Sequence, residues 1–414
     1  MPRKKNAEKP ALPAAPDNSM TDVEEAKIVH EEMFGDFGSH PLKAEPTTSA
    51  EQAEPSSSGQ PTEADSPSTA SSADLGPLAI ILAAGRGTRM KSSVPKVVHR
   101  LMGRPIVAHC VNAAKYLNPS KIVLVVPPAD DGVIAAAESR LAEGELLTAR
   151  QMEPLGTGHA ALSAFEAAPD YAGTVLIMPG DMPLLSPQTL LDFLDAHKAL
   201  GADLSVLTTR VANPGAYGRI IRDQSGWLEK IVEARDADEE QLAVDEINGG
   251  VYAAEAETLF AALKEIKPEN AQSEYYLTDV VEIFRKKGLL AAAVEAWDPA
   301  EFQGINDRRD LALAETVMRR RINESWLLAG VTMLDPDSVY IEPSVRLAED
   351  VTLGLGVVLT GRTKIEKGAS IGHYSCLNDA LVSSGTVVAP YSCRSDCRLG
   401  AEPGRTKKTG PKDL

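Results

Sequence analysis

The chain has 414 residues, 43% of them hydrophobic, enough for two or three domains with real cores. Its formal net charge of −17 at pH 7 repels nucleic acid and anionic membranes, so neither is expected as a partner. No apolar run approaches the roughly eighteen residues of a membrane span, and the opening MPRKKNAEKP lacks a signal peptide's apolar middle.

The four cysteines, Cys110, Cys376, Cys393 and Cys397, do not make a disulfide framework. Cys393 and Cys397 are spaced as a redox or metal pair could be, but no second ligand pair is near. Ordinary thiols in a reducing cytoplasm are the expectation.

Residues 1–76 are rich in Pro, Ser, Ala, Thr and Glu. Such a segment buries too little apolar surface to offset its ordering entropy, and it is expected to be a disordered tail. Within it TDVEEAKIVHEEMFGDF places Val23, Ala26, Val29 and Met33 at helical spacing, a transient helix or a docking helix for a partner. His30 and His40 carry no metal spacing.

From 77 to 306 the texture becomes α/β. Strand-like runs (LAIILAA, KIVLVVP, GTVLIMP, DLSVLTT, NGGVYAA) alternate with helical segments. In SPQTLLDFLDAHKAL, Ser186 is placed as N-cap, Pro187 in the first turn and apolar residues at 190, 191 and 194. Apolar strands separated by helices predict a doubly wound, mostly parallel, Rossmann-like sheet, with ligands beyond the strands' carboxyl ends.

Residues 307–328 read as one connecting helix, its stripe formed by Leu311, Ala314, Met318, Ile322 and Trp326. Arg319, Arg320 and Arg321 are read as a solvated face. A six-residue period follows in Ile341, Leu347, Leu353, Leu359, Ile365, Ile371 and Leu377. Four places after each stand Val345, Val351, Val357, Thr363, Ala369, Ser375 and Leu381. Strict hexads of this kind predict a short parallel β-helix over 329–398, its pattern loosening after 382, and then a disordered tail at 399–414.

The stretch LAAGRGTRMKSSVPKV, residues 82–97, leaves the first strand. It matches neither GxxxxGK[ST] nor GxGxxG. Even so, Gly85 and Gly87 let backbone N–H groups approach a phosphate, and Arg89 and Lys96 supply charge for a polyphosphate. The residues alone allow equally a βα turn whose basic side chains meet only solvent.

Seven further stretches follow in order: QMEPLGTGHA (151–160), PGDMPLL (179–185), YGRII (217–221), IVEARDA (231–237), EINGGVY (246–252), AQSEYYLTD (271–279) and GIND (304–307). Together with the opening stretch, they resemble the sugar-1-phosphate nucleotidylyltransferases. Within these, the chain resembles the uridylyltransferase half of the bifunctional N-acetylglucosamine-1-phosphate uridylyltransferase/glucosamine-1-phosphate acetyltransferase family. The likeness covers about 77–328 densely, and a hexapeptide-repeat domain, left-handed in that family, follows in the family's order.

The resemblance implies a Mg²⁺-dependent transfer of UMP from UTP to N-acetylglucosamine 1-phosphate with release of pyrophosphate, in supply of cell-wall or lipopolysaccharide precursors. It places Mg²⁺ on Asp181 and Asn306, and Lys96 and Arg89 on the phosphates. Leu82, Ala83, Ala84 and Gly85, with Gln151, Gly156 and Thr157, would frame the nucleotide. A glutamine offers the donor and acceptor that an imide edge requires. Gly180, Gly218, Glu233 and Asn248 would hold the sugar.

Plainer readings exist for several of these. Asp181 could be a turn residue, Asn306 a helix cap, Glu233 an exposed carboxylate and His159 a packed side chain. His99 and His109 lie ten apart on an expected helix and carry no argument.

Three positions depart from the family pattern: Arg86 where lysine is also common, Pro179 where an aromatic is frequent and Gly249 where threonine is frequent. The last two leave a different sugar 1-phosphate as an alternative substrate, and a non-catalytic nucleotide-sugar-binding scaffold as a further alternative. The family's acetyl-transfer residues belong to β-helix turns beyond the hexads present, so acetyltransferase activity is expected to be absent. The β-helix resembles surfaces that assemble trimers, so a cytoplasmic homotrimer is expected.

Overall fold

The structure, a computed structural model, describes residues 76–400 apart from 130, 131, 140 and 143. Of the tails expected at 1–76 and 399–414, residues 1–75 and 401–414, with the helical stretch at 21–37, lie outside the described residues, while Leu399 belongs not to a tail but to the strand Arg398–Leu399.

Among the described residues, the strands Leu78–Leu82 (β1), Lys121–Val126 (β2), Leu146–Arg150 (β3), Thr174–Pro179 (β4), Leu204–Arg210 (β5), Arg219–Arg222 (β6), Leu228–Val232 (β7), Glu246–Glu255 (β8) and Ala291–Glu295 (β9) form one nine-stranded sheet. Its order is β3-β2-β1-β4-β8-β5-β9, with β6 pairing β8 and β7 at the side. Every strand of the main path is parallel to its neighbours except β8, which runs antiparallel to β4 and β5.

The apolar runs are continuous because the sheet is covered on both faces. Leu78 and Ile80 of β1 pack with the helices Thr157–Phe165, Ala256–Leu263 and Val280–Lys286. Ala79 and Ile81 pack with Ile106–Tyr116, Val133–Glu138 and Pro187–Leu200 on the other face. In the last of these helices Ser186 accepts from the Thr189 N–H and Pro187 opens the first turn, as expected. The buried stripe there is Leu190, Phe193 and Leu194, with Leu191 only partly covered.

β1 lies between β2 and β4, and Leu82 is in register with Val125 on one side and Pro179 on the other. The chain winds away from β1 first toward β3 and then back through β4. The loops leaving β1 and β4 therefore open at a topological switch point, where doubly wound sheets leave a crevice.

The connecting helix spans Arg308–Leu328 and is opened by Asp307, which accepts from the N–H groups of Arg309 and Asp310. Its arginines are not a uniformly solvated face. Arg321 donates to Leu184 O at 2.6 Å and to Asp298 at 2.7 Å, fastening the helix to loops at the edge of the nine-stranded sheet. Only Arg320, paired with Asp337 near the surface, fits the sequence expectation. His99 is not helical either: it closes the turn Lys96–Val98, and the helix carrying His109 starts at Ile106. No helix among the described residues is long and apolar enough to cross a membrane.

Beyond the connecting helix, three four-stranded parallel sheets stack around a common axis, the parallel β-helix that the hexads predict, left-handed as the resemblance implies. Ile341, Leu347, Leu353, Leu359, Ile365, Ile371 and Leu377 all point inward and are buried, as are Val345, Val351, Val357, Thr363, Ala369 and Ser375. Leu381 is the exception. The third corner is one residue shorter, so Lys364 pairs with Leu381 and Ile365 with Val382. Ala380 and Val382 take the inward places, and the repeat that loosens in sequence continues in a shifted frame through Leu399.

This frame shift has a direct check. Leu377→Ala should destabilise the protein by roughly 2–5 kcal/mol through the cavity it leaves, and Leu381→Ala by no more than about 1 kcal/mol, measured by denaturant unfolding.

Candidate active site

The bend after β1 begins with Ala83, whose N–H donates to Val125 O at 2.8 Å. Gly87 then adopts φ 58°, and a Cβ there would stand 2.5 Å from Lys96 Cβ. Only glycine lets the chain double back so closely, and that return brings Lys96 over the end of β1. Gly85 is exposed, and a Cβ added to it would meet nothing within 4 Å, so its backbone faces open space.

After β4, Gly180 N–H donates to Leu82 O at 2.9 Å, and a Cβ on Gly180 would lie 3.0 Å from the same oxygen. This contact pins the Asp181 loop to the end of β1. Asp181 in turn accepts at its backbone carbonyl from Ile305 N–H at 2.9 Å, which brings in the 304–307 loop. Because Asp307 caps the helix, Asn306 is not the cap that its position allowed. Its side chain turns into the crevice instead, where Oδ1 accepts from Arg89 Nη2 at 2.9 Å and lies 3.4 Å from Lys96 Nζ.

Lys96 Nζ donates to Asp181 Oδ2 in a close ion pair. With side chains 11% and 26% exposed, the pair is partly desolvated and stronger than a surface one. Arg89, Lys96, Asp181 and Asn306 therefore converge from three loops, far apart in sequence, on the switch point.

The second group is Gln151, Gly156 and Thr157. Gln151 Nε2 donates to Gly156 O at 2.9 Å and lies 3.2 Å from His159 Nδ1, so His159 serves as a packed orienting neighbour. Gly156 has φ 119°, and a Cβ on it would stand 2.5 Å from Tyr275 O. Gly158 N–H reaches Tyr275 O at 2.8 Å, Tyr275 N–H reaches Leu155 O at 2.7 Å, and Leu277 N–H donates to Thr157 Oγ1 at 3.0 Å. The GTG turn is thus laced to the YYL segment.

The third group is Gly218, Glu233 and Asn248. A Cβ on Gly218 would lie 3.5 Å from both Asn248 Cβ and Glu233 Oε1, so the three share one wall. Asn248 is aimed by a bulge: β8 shifts register against β5 between Asn248 and Val251. Its Oδ1 accepts from Gly250 N–H at 2.9 Å while its Nδ2 donates to Tyr252 OH at 2.9 Å. The unusual Gly249 has a local cause, since a Cβ there would lie 2.4 Å from the Phe302 ring and 2.6 Å from Leu207 O. Gly250, at φ 75°, packs over Pro179.

Glu233 is mostly buried, not the exposed carboxylate its charged segment suggested. Burial pushes its carboxyl up, against the hydrogen bond from Thr278 Oγ1 at 3.4 Å, and Asp236 and Asp279 push the same way.

Sequence reading passed over Tyr217, Tyr252 and Thr278, although each lies within a motif it had noted. Tyr217 donates to Phe302 O at 2.9 Å and feels the charge of Asp181, so it links the Gly218–Glu233–Asn248 wall to the cation cluster.

The chain matches the MobA-like NTP transferase domain over residues 79–269. It is 43% identical over 334 residues to the bifunctional protein GlmU of Caldanaerobacter subterraneus subsp. tengcongensis, covering 81% of this chain and 70% of that one. The chain belongs to the bifunctional GlmU family. The Oceanobacillus iheyensis relative is 44% identical over 322 residues, covering 78% of this chain and 70% of the relative. The Geobacter metallireducens GlmU is 47% identical over 293 residues, 71% of this chain and 61% of its own length. The chain thus spans between about three fifths and 70% of these curated relatives. Among solved structures, a UDP-glucose pyrophosphorylase complexed with UDP-glucose aligns with 60% of this chain and 100% of its own, at TM-score 0.48 and 17% identity.

The half-buried Asp279 beside the Glu233 wall carries a pH signature. Burial, then Glu282 and Asp236, push its carboxyl up to about 6 from 3.8. Its favourable contribution is therefore complete below about pH 3.8 and is lost as pH rises through 6. Asp279→Asn should melt above the wild type at pH 8, with the gap closing as pH falls below 4, in a series of thermal melts.

Proposed function

We propose that the chain transfers UMP from UTP to N-acetylglucosamine 1-phosphate and releases pyrophosphate. The observation that supports this most is the convergence of Lys96, Arg89, Asp181 and Asn306 at the mouth of the β1–β4 crevice. One oxygen of the sugar phosphate attacks the α-phosphorus of UTP. A P–O bond forms, the bond to the β-phosphate oxygen breaks in line, and no proton need move. Catalysis of this kind is positioning and charge stabilisation.

In this reading Lys96 and Arg89 hold the triphosphate, and the open backbone at Gly85 passes beside it. Leu82, Ala83 and Ala84, with Gln151, Gly156 and Thr157, frame the uracil, and the Gly156 carbonyl orients the Gln151 carboxamide that reads it. Gly180, Gly218, Glu233 and Asn248 hold the sugar, and Thr278 steadies Glu233.

Asp181 and Asn306 offer two hard oxygen donors, and the Lys96 ammonium lying between them marks a place that suits a cation. Mg²⁺ keeps several waters and needs few protein oxygens. That agrees with the lack, among the described residues, of any cluster of three or more His, Cys, Asp or Glu placed for a metal. These two residues would hold Mg²⁺, which when bound neutralises charge on the phosphoryl oxygens.

A different sugar 1-phosphate is favoured by one feature, the Gly249–Gly250 bulge packed on Phe302 and Pro179 beside Asn248. A cytoplasmic homotrimer assembled through the β-helix completes the proposal, and light scattering on the purified chain tests the assembly.

Pyrophosphate release from UTP and Mg²⁺ across a panel of sugar 1-phosphates tests the reaction. N-acetylglucosamine 1-phosphate should be preferred, and preference for another sugar would transfer the assignment to it. Asp181→Ala should keep its fold by circular dichroism and lose roughly 10³-fold in kcat, about 4 kcal/mol of transition-state stabilisation. A well-folded wild type without turnover on any of these sugars would leave the non-catalytic scaffold as the better reading. Glu233→Gln should raise KM for the sugar phosphate several-fold with the KM for UTP unchanged.

A further inference from the structure

The sequence pairs Cys393 with Cys397 by spacing, but the fold separates them. Asp396, at φ 48°, turns a corner between them, and Cys397 offers its backbone carbonyl to Leu381 on the next face. Cys393 stands instead opposite Cys376 in the coil below, as direct register partners in parallel strands Cys376–Asn378 and Cys393–Ser395.

Leu377 is buried in the core, so Cys376, its neighbour, points outward. Both thiols are free, Cys376 half-buried and Cys393 exposed. Burial first, and then the adjacent Cys393, push the Cys376 thiol up. The register here is firmly set. Cys376 N–H donates to Ser392 O at 2.8 Å, Tyr391 N–H to His373 O at 2.8 Å, and the exposed rings of Tyr374 and Tyr391 stack at 5.5 Å across the same two coils.

We propose that Cys376 and Cys393 form a dithiol redox site on the outside of the β-helix, which a low-molecular-weight disulfide oxidises to a reversible cross-link between successive coils. Neighbouring strands lie about 4.8 Å apart, inside the roughly 4.4–6.8 Å Cα window of a disulfide. Parallel side chains, however, keep the Cβ atoms near the strand spacing instead of the preferred ~3.8 Å. The bond therefore closes with some strain and is easily reduced, as regulatory disulfides are. In a reducing compartment the pair stays a dithiol, and it records oxidising excursions.

The chemistry proceeds in two exchanges. The exposed Cys393, as thiolate, attacks one sulfur of the small disulfide. That S–S bond breaks, and one small thiolate leaves and takes a proton from water. Cys376 then gives up its proton and attacks Cys393 Sγ, expelling the second small thiolate. Two protein thiols are oxidised and one disulfide is reduced to two thiols. Cys110 takes no part, being buried on the helix Ile106–Tyr116 where it packs against the main sheet. The cross-link would fasten the outermost described coil, whose Val387 and Tyr391 are exposed, to the one beneath it.

The experiment incubates the full chain, natively folded, in buffers of graded oxidised-to-reduced glutathione, then blocks free thiols and reads intact mass and peptide maps. The wild type should lose the mass of two hydrogens, yield a linked Cys376–Cys393 peptide, and revert with dithiothreitol. Cys376→Ser should stop at one glutathione on Cys393, Cys393→Ser should not cross-link, and Cys397→Ser should behave as wild type. Accumulation of glutathione on Cys393 of the wild type with Cys376 still free, or a linked Cys393–Cys397 peptide, would overturn the proposal. Nucleotide turnover plays no part in the readout, so the test stands apart from the assigned reaction.

Discussion

Everything functional in this molecule depends on two parallel strand ends lying side by side. β1 and β4 finish in register at Leu82 and Pro179, and the Gly180–Leu82 hydrogen bond holds the loop after β4 against the strand before it. From that junction a carboxylate, an amide oxygen, an ammonium and a guanidinium can meet, although Lys96 and Asn306 are 210 positions apart. Buried apolar strands make the junction rigid, and the rigidity lets a few partly desolvated charges act as one unit. Closely opposed charges of this kind are costly in a soft framework and effective in a preorganised one.

The wall of Gly218, Glu233 and Asn248 is built differently. It relies on a bulge in the one antiparallel strand of the main path, where two glycines turn Asn248 toward Gly218 and Glu233. Gly249 yields room to Phe302 and Leu207, and Gly250 to Pro179, so the bulge is fitted closely to its neighbours on both sides. Tyr217, bonded to the Phe302 carbonyl, couples this wall to Asp181.

Much of the fold was legible because it rests on periodicity. Five strands, the Ser186-capped helix, the connecting helix and the hexads all follow from spacing and burial. Four strands carry too weak a pattern to be read: β3, β6 and β7 are mixed polar strands at the sheet's side, and β9, Ala291–Glu295, is an alanine-rich run with little strand propensity. The frame shift at Leu381 could not be read because a one-residue deletion at a corner looks like decay of the repeat. Arg321 was misassigned because a helix periodicity says which face is apolar, not which polar side chain meets a neighbouring loop. Within the site, Arg89, Lys96, Asp181 and Asn306 came from motif resemblance. Their convergence depends on contacts between loops far apart in the chain, which spacing does not encode. The neighbourhood of Cys376 and Cys393 is hidden for the same reason: proximity across coils differs from proximity in sequence.

The account's central claim is that the cation cluster at the switch point is a nucleotide phosphate site. A crystal structure with UTP and Mg²⁺ tests it most directly. The account predicts that Lys96 leaves Asp181 for the triphosphate while Asp181 and Asn306 share the ion. Nucleotide bound elsewhere, or a triphosphate in the crevice with Lys96 still on Asp181 and no ion between the two loops, would contradict it.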